Sequence, residues 1–583
     1  LLAERTPDGF WVGELSTSAL STATAVFTLS LHGDSKYTSL VHGGLRWLAE
    51  NQNADGGWGD TTKSFSNLST TCLGWAVFNI PEAKEYATTA ESAEAWIRTT
   101  VGTLDPVPLS KAIAARYGKD RTFSVPILTM LALAGRLGNA PWRVVPQLPF
   151  ELAALPFWCF QILRLPVVSY ALPALIAIGQ VRHAKRPTWN PLIRLLRWVT
   201  KAWTLRKLQQ IQPTTGGYLE ATPLTSFVCM SLIGAGKRDQ EVVRHGLEFL
   251  EQSVRPDGSW PIDTNLTTWV TTLAVNADRQ LSVGFEKQVR GWLLKQQYRT
   301  VHPYTMAAPG GWAWTDLSGG VPDADDTPGA LLALAKLGEP DDATLSAAAA
   351  GVTWLLDLQN ADGGIPTFCR GWTGLPFDRS SNDLTAHAIL AWAAWRDRLD
   401  AKLQRRIDAG VKQGVAYLTK TQQPDGSWAP LWFGNQHADE VANLTYGTSR
   451  VLRLAEMRIL PAEFRTRLAR GVMWLLSTQT ADGGWGGRAG TPSSIEETAL
   501  AVEGLACWAN RDRERADGEV SRSLAVAARW LAAATRTGTY FPPSPIGFYF
   551  ANLWYFEKLY PVIYTVAALT RVTNLMARNE SDP

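Results

Sequence analysis
The stretch Trp474-Leu475-Leu476-Ser477-Thr478-Gln479-Thr480-Ala481-Asp482-Gly483-Gly484-Trp485 decides the fold. It reads as the apolar end of a helix, a Gln, an Asp-Gly turn and an aromatic leading into the next segment. Written as aromatic-Leu-x3-Gln-x3-Gly-x-Trp, the template returns at Trp47-Leu48, Gln52 and Gly56-Gly57-Trp58, and at Tyr417-Leu418, Gln422 and Gly426-Ser427-Trp428. Phe249-Leu250 and Gly258-Ser259-Trp260 repeat it with Val254 in the Gln position. Weaker copies run through Leu208, Gln212, Gly216 and Tyr218, and through Trp354-Leu355, Gln359, Gly363 and Ile365. Trp292-Leu293 and Gln297 open another, whose Gly310-Gly311-Trp312 comes late, and Leu1, Arg5, Gly9 and Trp11 fit as well.

Between copies the pattern is helical and rich in Ala and Leu, as at 385–395 and 498–508. A repeat of roughly 50 residues holding a helix pair cannot bury its apolar face alone, so the copies stack. Closed on themselves they make an α/α barrel, and the predicted class is all-α. The Gln amide is predicted to bond free backbone groups at helix ends, with the Trp ring packed over it.

A chain of 583 residues is too long for one ordinary core, so two large domains are expected. A net charge of +3 with 19% charged residues argues against nucleic acid as a partner and against disorder. Trp, at 26, outnumbers Phe at 19 and Tyr at 14, so many tryptophans belong to repeated structure or to a lining. The cysteines 72, 159, 229, 369 and 507 are scattered without C-x-x-C or metal spacing and read as reduced thiols of a cytosol-facing protein. The most apolar region, 146–181, is broken by Glu151, Arg164 and prolines; it cannot span a bilayer but could lie in one leaflet.

From Gly310 to Thr327 the sequence places Asp323, Asp325 and Asp326 after an aromatic pair and before an Ala/Leu-rich run. Like charges that close push at least one pKa up, leaving a carboxylic acid able to donate a proton near neutral pH. Taken alone, the cluster also fits a helix N-terminus, where Asp caps free N–H groups.

The repeat together with Asp-Ala-Asp-Asp-Thr resembles the squalene–hopene cyclase family of class II terpene cyclases, over nearly the whole chain. The resemblance implies two α/α barrels, one inserted into the other: an inserted barrel over 15–265 and a catalytic barrel from 1–14 and 266–583. It implies proton-initiated cyclisation of squalene, or of another linear isoprenoid such as a hydroxysqualene, without metal or redox cofactor. It also implies a monotopic enzyme in one leaflet, on the cytoplasmic side of a bacterial membrane, and allows a homodimer.

Carried over residue by residue, the resemblance makes Asp325 the acid, with Asp323 and Asp326 sharing protons and orienting it. Asn382-Asp383-Leu384-Thr385-Ala386-His387 matches the helix whose histidine partners that acid, so His387 takes that role beside Asp383. Tyr446, in Asn443-Leu444-Thr445-Tyr446-Gly447-Thr448, matches the tyrosine of the water network that reprotonates it. Matches to the aromatic lining are Trp269, Trp314, Trp432, Tyr170 and the Phe548-Tyr549 pair, with Phe550 as the substitute if the register slips by one. Phe368 and Cys369 match an entrance constriction, with Arg370 where an Asp is expected. Arg194, Arg197, Lys201, Arg206 and Lys207, beside Ile193, Leu196, Trp198 and Trp203, read either as a basic amphipathic helix for anionic headgroups or as a solvated outer helix.

The departures lie where hopene-forming enzymes end the cascade: Thr22/Thr24, Cys72/Leu73 and Thr222 stand where acidic side chains and a Gln are expected. The loop 434–442, with His437, Asp439 and Glu440, reads as a surface insertion. Two other α/α-barrel chemistries fit less well. A glycoside hydrolase needs two carboxylates and a polar lining, and a protein-prenyltransferase β subunit needs Asp, Cys and His zinc ligands.

Overall fold
A computed structural model of the protein describes residues 1–118, 120–156, 172–277, 283–303, 305–368, 378–457, 460–511, 518–548, 550 and 552–581. Among them, helices Thr267–Ala277, Asp326–Lys336, Asn382–Trp395, Leu444–Leu452, Ile495–Arg511 and Tyr560–Ser581 each pack on the next, and the last packs on the first. This closed inner ring is wrapped by outer helices such as Asp342–Leu358, Ala401–Thr421, Ala462–Thr478 and Glu519–Ala534. A second ring runs through Ala19–His32, Leu68–Val77, Arg121–Leu133, Leu172–Lys185 and Thr222–Gly234 back to Ala19–His32. The architecture is the double α/α barrel.

Each ring has its own core. One extends from Ala19 to Trp260 and takes in Val321; the other joins Trp11 and Leu15 to residues between Trp269 and Val572. Leu15 bridges to Glu557, and the Trp11 backbone N–H donates to Thr271 Oγ1 at 2.9 Å. Trp314 packs against both cores and so marks the seam between the barrels.

The repeats act as staples. Gln359 Nε2 donates to Gly363 O at 2.7 Å within its own turn and to Gly410 O at 3.0 Å on the following outer helix. Gln422 does the same to Gly426 and Arg467, and Gln52 to Gly56 and Thr89. The Trp indole acts as a cap: Trp428 Nε1 donates to Leu418 O at 2.8 Å and Trp485 Nε1 to Leu475 O at 2.8 Å, satisfying carbonyls that the helix end leaves open. The backbone N–H of the same Trp donates to a threonine of the next inner helix, Thr448 for Trp428 and Thr498 for Trp485. Gly426 adopts φ 101°, and a Cβ there would stand 2.7 Å from Arg470 O, so the turn requires glycine. The inner helices are buried nearly all round, while outer ones such as Ala401–Thr421 bury a single stripe.

Candidate active site
The three aspartates at the head of helix Asp326–Lys336 do three different jobs. Asp323 Oδ1 accepts the backbone N–H groups of Asp325 and Asp326, both at 2.8 Å, so this carboxylate satisfies the first free N–H groups at the head of the helix. Asp326 is buried against it, with Oδ1 lacking a hydrogen-bond partner among the described residues. Burial, and then the Asp323 charge, push Asp326 well above the ordinary carboxylate range; burial lifts Asp323 to about 7. This pair keeps a proton. Asp325 is the member that reaches across the ring, its Oδ1 2.8 Å from Nδ1 of His387.

His387 comes from the neighbouring inner helix Asn382–Trp395, one turn after Asp383. Burial lowers its pKa, and the charges of Arg453 and Arg450 add to that, although the bond to Asp325 pulls the other way. A neutral imidazole with its proton on Nδ1 donates to the Asp325 carboxylate. Asp383 is buried, accepts from Ser381 Oγ and from the Leu431 N–H, and has no partner for Oδ2 among the described residues. Burial, and then the nearby Asp325 charge, raise it to about 6.

Asp325, Asp383, His387, Tyr446 and Trp269 line one internal space. Deep in the barrel, the Asp325 side chain still has 22% of its surface accessible, and that surface faces this space. Trp269 Nε1 donates to Tyr560 Oη at 3.0 Å, and its ring lies edge-on to His387 with centroids 6.3 Å apart. Tyr446 stacks on Phe433 at 4.1 Å, and burial raises its phenol pKa.

Sequence reasoning missed Arg450 and Arg453, which line the same space. Arg450 lies over the rings of Tyr446 at 4.9 Å and Tyr564 at 5.3 Å, and both arginines approach Glu503, at 3.6 and 3.4 Å. A signal was present: residues 446, 450 and 453 follow the helical spacing that puts side chains on one face.

The other aromatic candidates form a second group. Trp314 contacts Phe368 at 6.4 Å, Phe368 contacts Trp432 at 6.0 Å, and Trp432 contacts Phe548 at 4.4 Å and Phe550 at 6.1 Å. This chain is tied to the acid through Thr367, whose carbonyl accepts the Ala324 N–H at 2.9 Å and whose Oγ1 accepts from Trp432 Nε1 at 2.8 Å. Phe548 and Phe550 both flank Trp432. Tyr170, Tyr549, Cys369 and Arg370 lie outside the described residues.

Of the departures, Thr22 accepts the Trp260 backbone N–H at 3.0 Å, the threonine role of the repeat. In the loop 434–442, Asp439 and Glu440 are exposed, while His437 lies 4.9 Å from the Phe65 ring.

The family profile for the squalene-hopene cyclase C-terminal domain matches residues 262–574, and the profile for the N-terminal domain matches 1–188. The enfumafungin synthase of Hormonema carpetanum is 26% identical over 94% of this chain, which spans only 45% of that protein's length. The squalene–hopene cyclase of Bradyrhizobium diazoefficiens is 25% identical over 85% of this chain and 83% of its own. The ent-copalyl diphosphate synthase structure from Streptomyces platensis superposes with a TM-score of 0.60 at 18% identity, covering 96% of each chain, a likeness of fold.

Proposed function
Since the chain belongs to the squalene–hopene cyclase family of class II triterpene cyclases, we propose that it cyclises squalene to a polycyclic triterpene of the hopene or hopanol kind by proton-initiated cationic chemistry. The observation that carries this reading is Asp325 held 2.8 Å from His387 Nδ1 in an internal space walled by Trp269 and Tyr446.

Asp325 transfers its proton to a terminal alkene carbon, and the π electrons of that bond form the new C–H bond and leave a tertiary cation. Each further alkene attacks the preceding cation, so one C–C bond forms per ring and the charge moves along the chain until the last cation loses a proton to give an alkene, or takes up water and then loses a proton to give an alcohol. An ordinary carboxylic acid is too weak for the first step. His387 donates to the carboxylate that the transfer leaves behind, and Asp323, occupied by two backbone N–H groups, fixes its position. Tyr446, Arg450 and Asp383 border the route by which the spent carboxylate regains a proton. Faces of Trp269, Trp432 and Phe548 stabilise the migrating charge, at roughly 0.5–2 kcal/mol each when desolvated, and hold the polyene folded. Phe368, between Trp314 and Trp432, is the constriction of the path inward.

The membrane half of the proposal rests on helix Pro191–Gln210. Trp189 is 93% exposed, Leu192 77% and Trp198 74%, with Arg194, Lys201 and Arg206 exposed among them. Such a surface suits the headgroup boundary of one anionic leaflet on the cytoplasmic side, where two chains could pair as a homodimer. Arg197, counted among the headgroup-binding residues from sequence, is instead buried in an ion pair with Glu151 at 3.1 Å. Among the described residues no helix is long and apolar enough to cross a membrane.

The test is incubation of detergent-solubilised protein with squalene, with and without EDTA, and identification of products by mass spectrometry. Polycyclic triterpenes are expected, unaffected by EDTA and absent from Asp325→Asn; conversion of no polyprene at all sinks the assignment.

A further inference from the structure
Tyr446 borders the acid's space, and its position is set from outside that space by a buried carboxyl that the mechanism above does not use. Asn443 is fully buried at the head of helix Leu444–Leu452, where its Oδ1 accepts the Tyr446 backbone N–H at 2.9 Å. With that oxygen engaged, the amide N–H groups of the same side chain still need an acceptor in the interior. Nδ2 donates to Oε1 of Glu497 at 2.9 Å.

A second asparagine reaches the same atom. Asn435 follows strand Phe433–Gly434; its Oδ1 accepts the His437 N–H at 2.9 Å and its Nδ2 donates to Glu497 Oε1 at 3.0 Å. Phe433 stacks its ring on Tyr446 with centroids 4.1 Å apart and planes at 28°, and its carbonyl accepts the Asn443 N–H at 3.2 Å. One oxygen atom therefore ties down both the backbone that carries Tyr446 and the strand whose ring lies on it. Gly487 permits the approach, since a Cβ there would stand 2.3 Å from the Asn435 Cβ. Glu497 belongs to the first turn of the neighbouring inner helix Ile495–Arg511, and its backbone N–H donates to Ser494 Oγ at 3.1 Å. A carboxylate in a first turn ordinarily faces water and complements the helix dipole. Glu497 is only 1% exposed and spends its oxygen on the two asparagines instead.

We propose that Glu497 is a positioning residue for Tyr446 and that, through Asn443 and Asn435, it governs how fast Asp325 regains its proton. The inference rests on the cyclase reading, in which Tyr446 borders the route of proton return. Glu497 does not line the space that holds Asp325, so substrate binding and the first proton transfer do not depend on it. Removing its side chain frees two buried amide N–H groups, and the strand and the helix head must move to find them new acceptors.

The experiment separates the first turnover from those that follow. Protein equilibrated in buffer already carries the proton on Asp325, so a single turnover with enzyme in excess needs no proton return, whereas steady-state turnover does. Glu497→Ala should lower kcat for squalene by about tenfold or more, with the single-turnover rate within about twofold and KM within about threefold of wild type. Glu497→Gln keeps an accepting oxygen and should restore kcat to within about threefold. Asn443→Ser keeps a capping oxygen but cuts the tether, and should reproduce the Ala pattern even where Glu497→Ala fails to fold. A readout free of turnover is the fluorine NMR signal of Tyr446 in protein labelled with 3-fluorotyrosine, assigned by its loss in Tyr446→Phe. It should move or broaden in Glu497→Ala and stay in place in Glu497→Gln. An unchanged kcat in Glu497→Ala, an equal fall in single-turnover rate and kcat, a Gln variant as slow as Ala, or an unmoved fluorine signal would each overturn the proposal. Failure of the cyclase reading looks different: wild type converts no polyprene, and the fluorine signal still reports whether Glu497 holds Tyr446.

Discussion
Replacing His387 by Ala removes the Nδ1 that stands 2.8 Å from Asp325 Oδ1 and leaves the helix caps untouched. On the proposed mechanism that contact strengthens as Asp325 becomes a carboxylate, so its loss appears in the protonation barrier. A hydrogen bond to a charged group is worth about 1.5–3 kcal/mol, and at 1.36 kcal/mol per decade this predicts a fall in kcat of about 10- to 150-fold. His387 reaches the acid, while Trp269, Trp432 and Phe548 do the holding, so KM should move by less than about threefold. His387→Gln, which can place an amide N–H toward Asp325, should recover part of the loss. The assay is initial-rate squalene conversion followed by gas chromatography, with Asp325→Asn as the null control. An Ala variant with wild-type kcat, or one whose KM rises while kcat holds, would show that the imidazole does not act through the acid.

Gln359→Ala should lower Tm by several degrees, because two buried carbonyls, Gly363 O and Gly410 O, lose their donor; an unchanged melting curve would deny the staple its role. Glu496 is buried, accepts the Ser544 N–H at 2.7 Å and has no partner for Oε2 among the described residues, and its pKa is raised to about 8 by burial and then by Glu497. Between pH 4.5 and 8 the unfolded chain therefore releases a proton that the folded chain keeps, and this contribution to stability is lost as pH rises. Glu496→Gln should raise Tm relative to wild type at pH 8 with little difference below pH 4.5, and a difference independent of pH would contradict the assignment. Trp189→Ser with Trp198→Ser should reduce sedimentation with anionic vesicles about tenfold or more, since both rings are largely exposed; undiminished binding would remove helix Pro191–Gln210 from the membrane face.

Much of this was legible in the residues. The Gln and Trp spacing locates the staples because each bond they make is local: Trp428 to Leu418 and Gln422 to Gly426 span one turn of known geometry. The threonine partners were also present in the sequence, in every inner helix that receives a repeat, but a residue type as common as Thr carries no signal until its donor is known. Arg197 misled because a cation in a basic run resembles its neighbours until Glu151 is seen beside it.

The sequence by itself determined the repeat, the stacking it compels and the identity of the acid cluster, since these depend on neighbours within about one turn. Tertiary structure alone decided which aspartate caps, which is buried with a proton and which reaches His387, because closure of the inner ring brings together residues 62 positions apart. Burial and long-range contact set the protonation and partners of a carboxyl, and neither is written in the order of the residues around it.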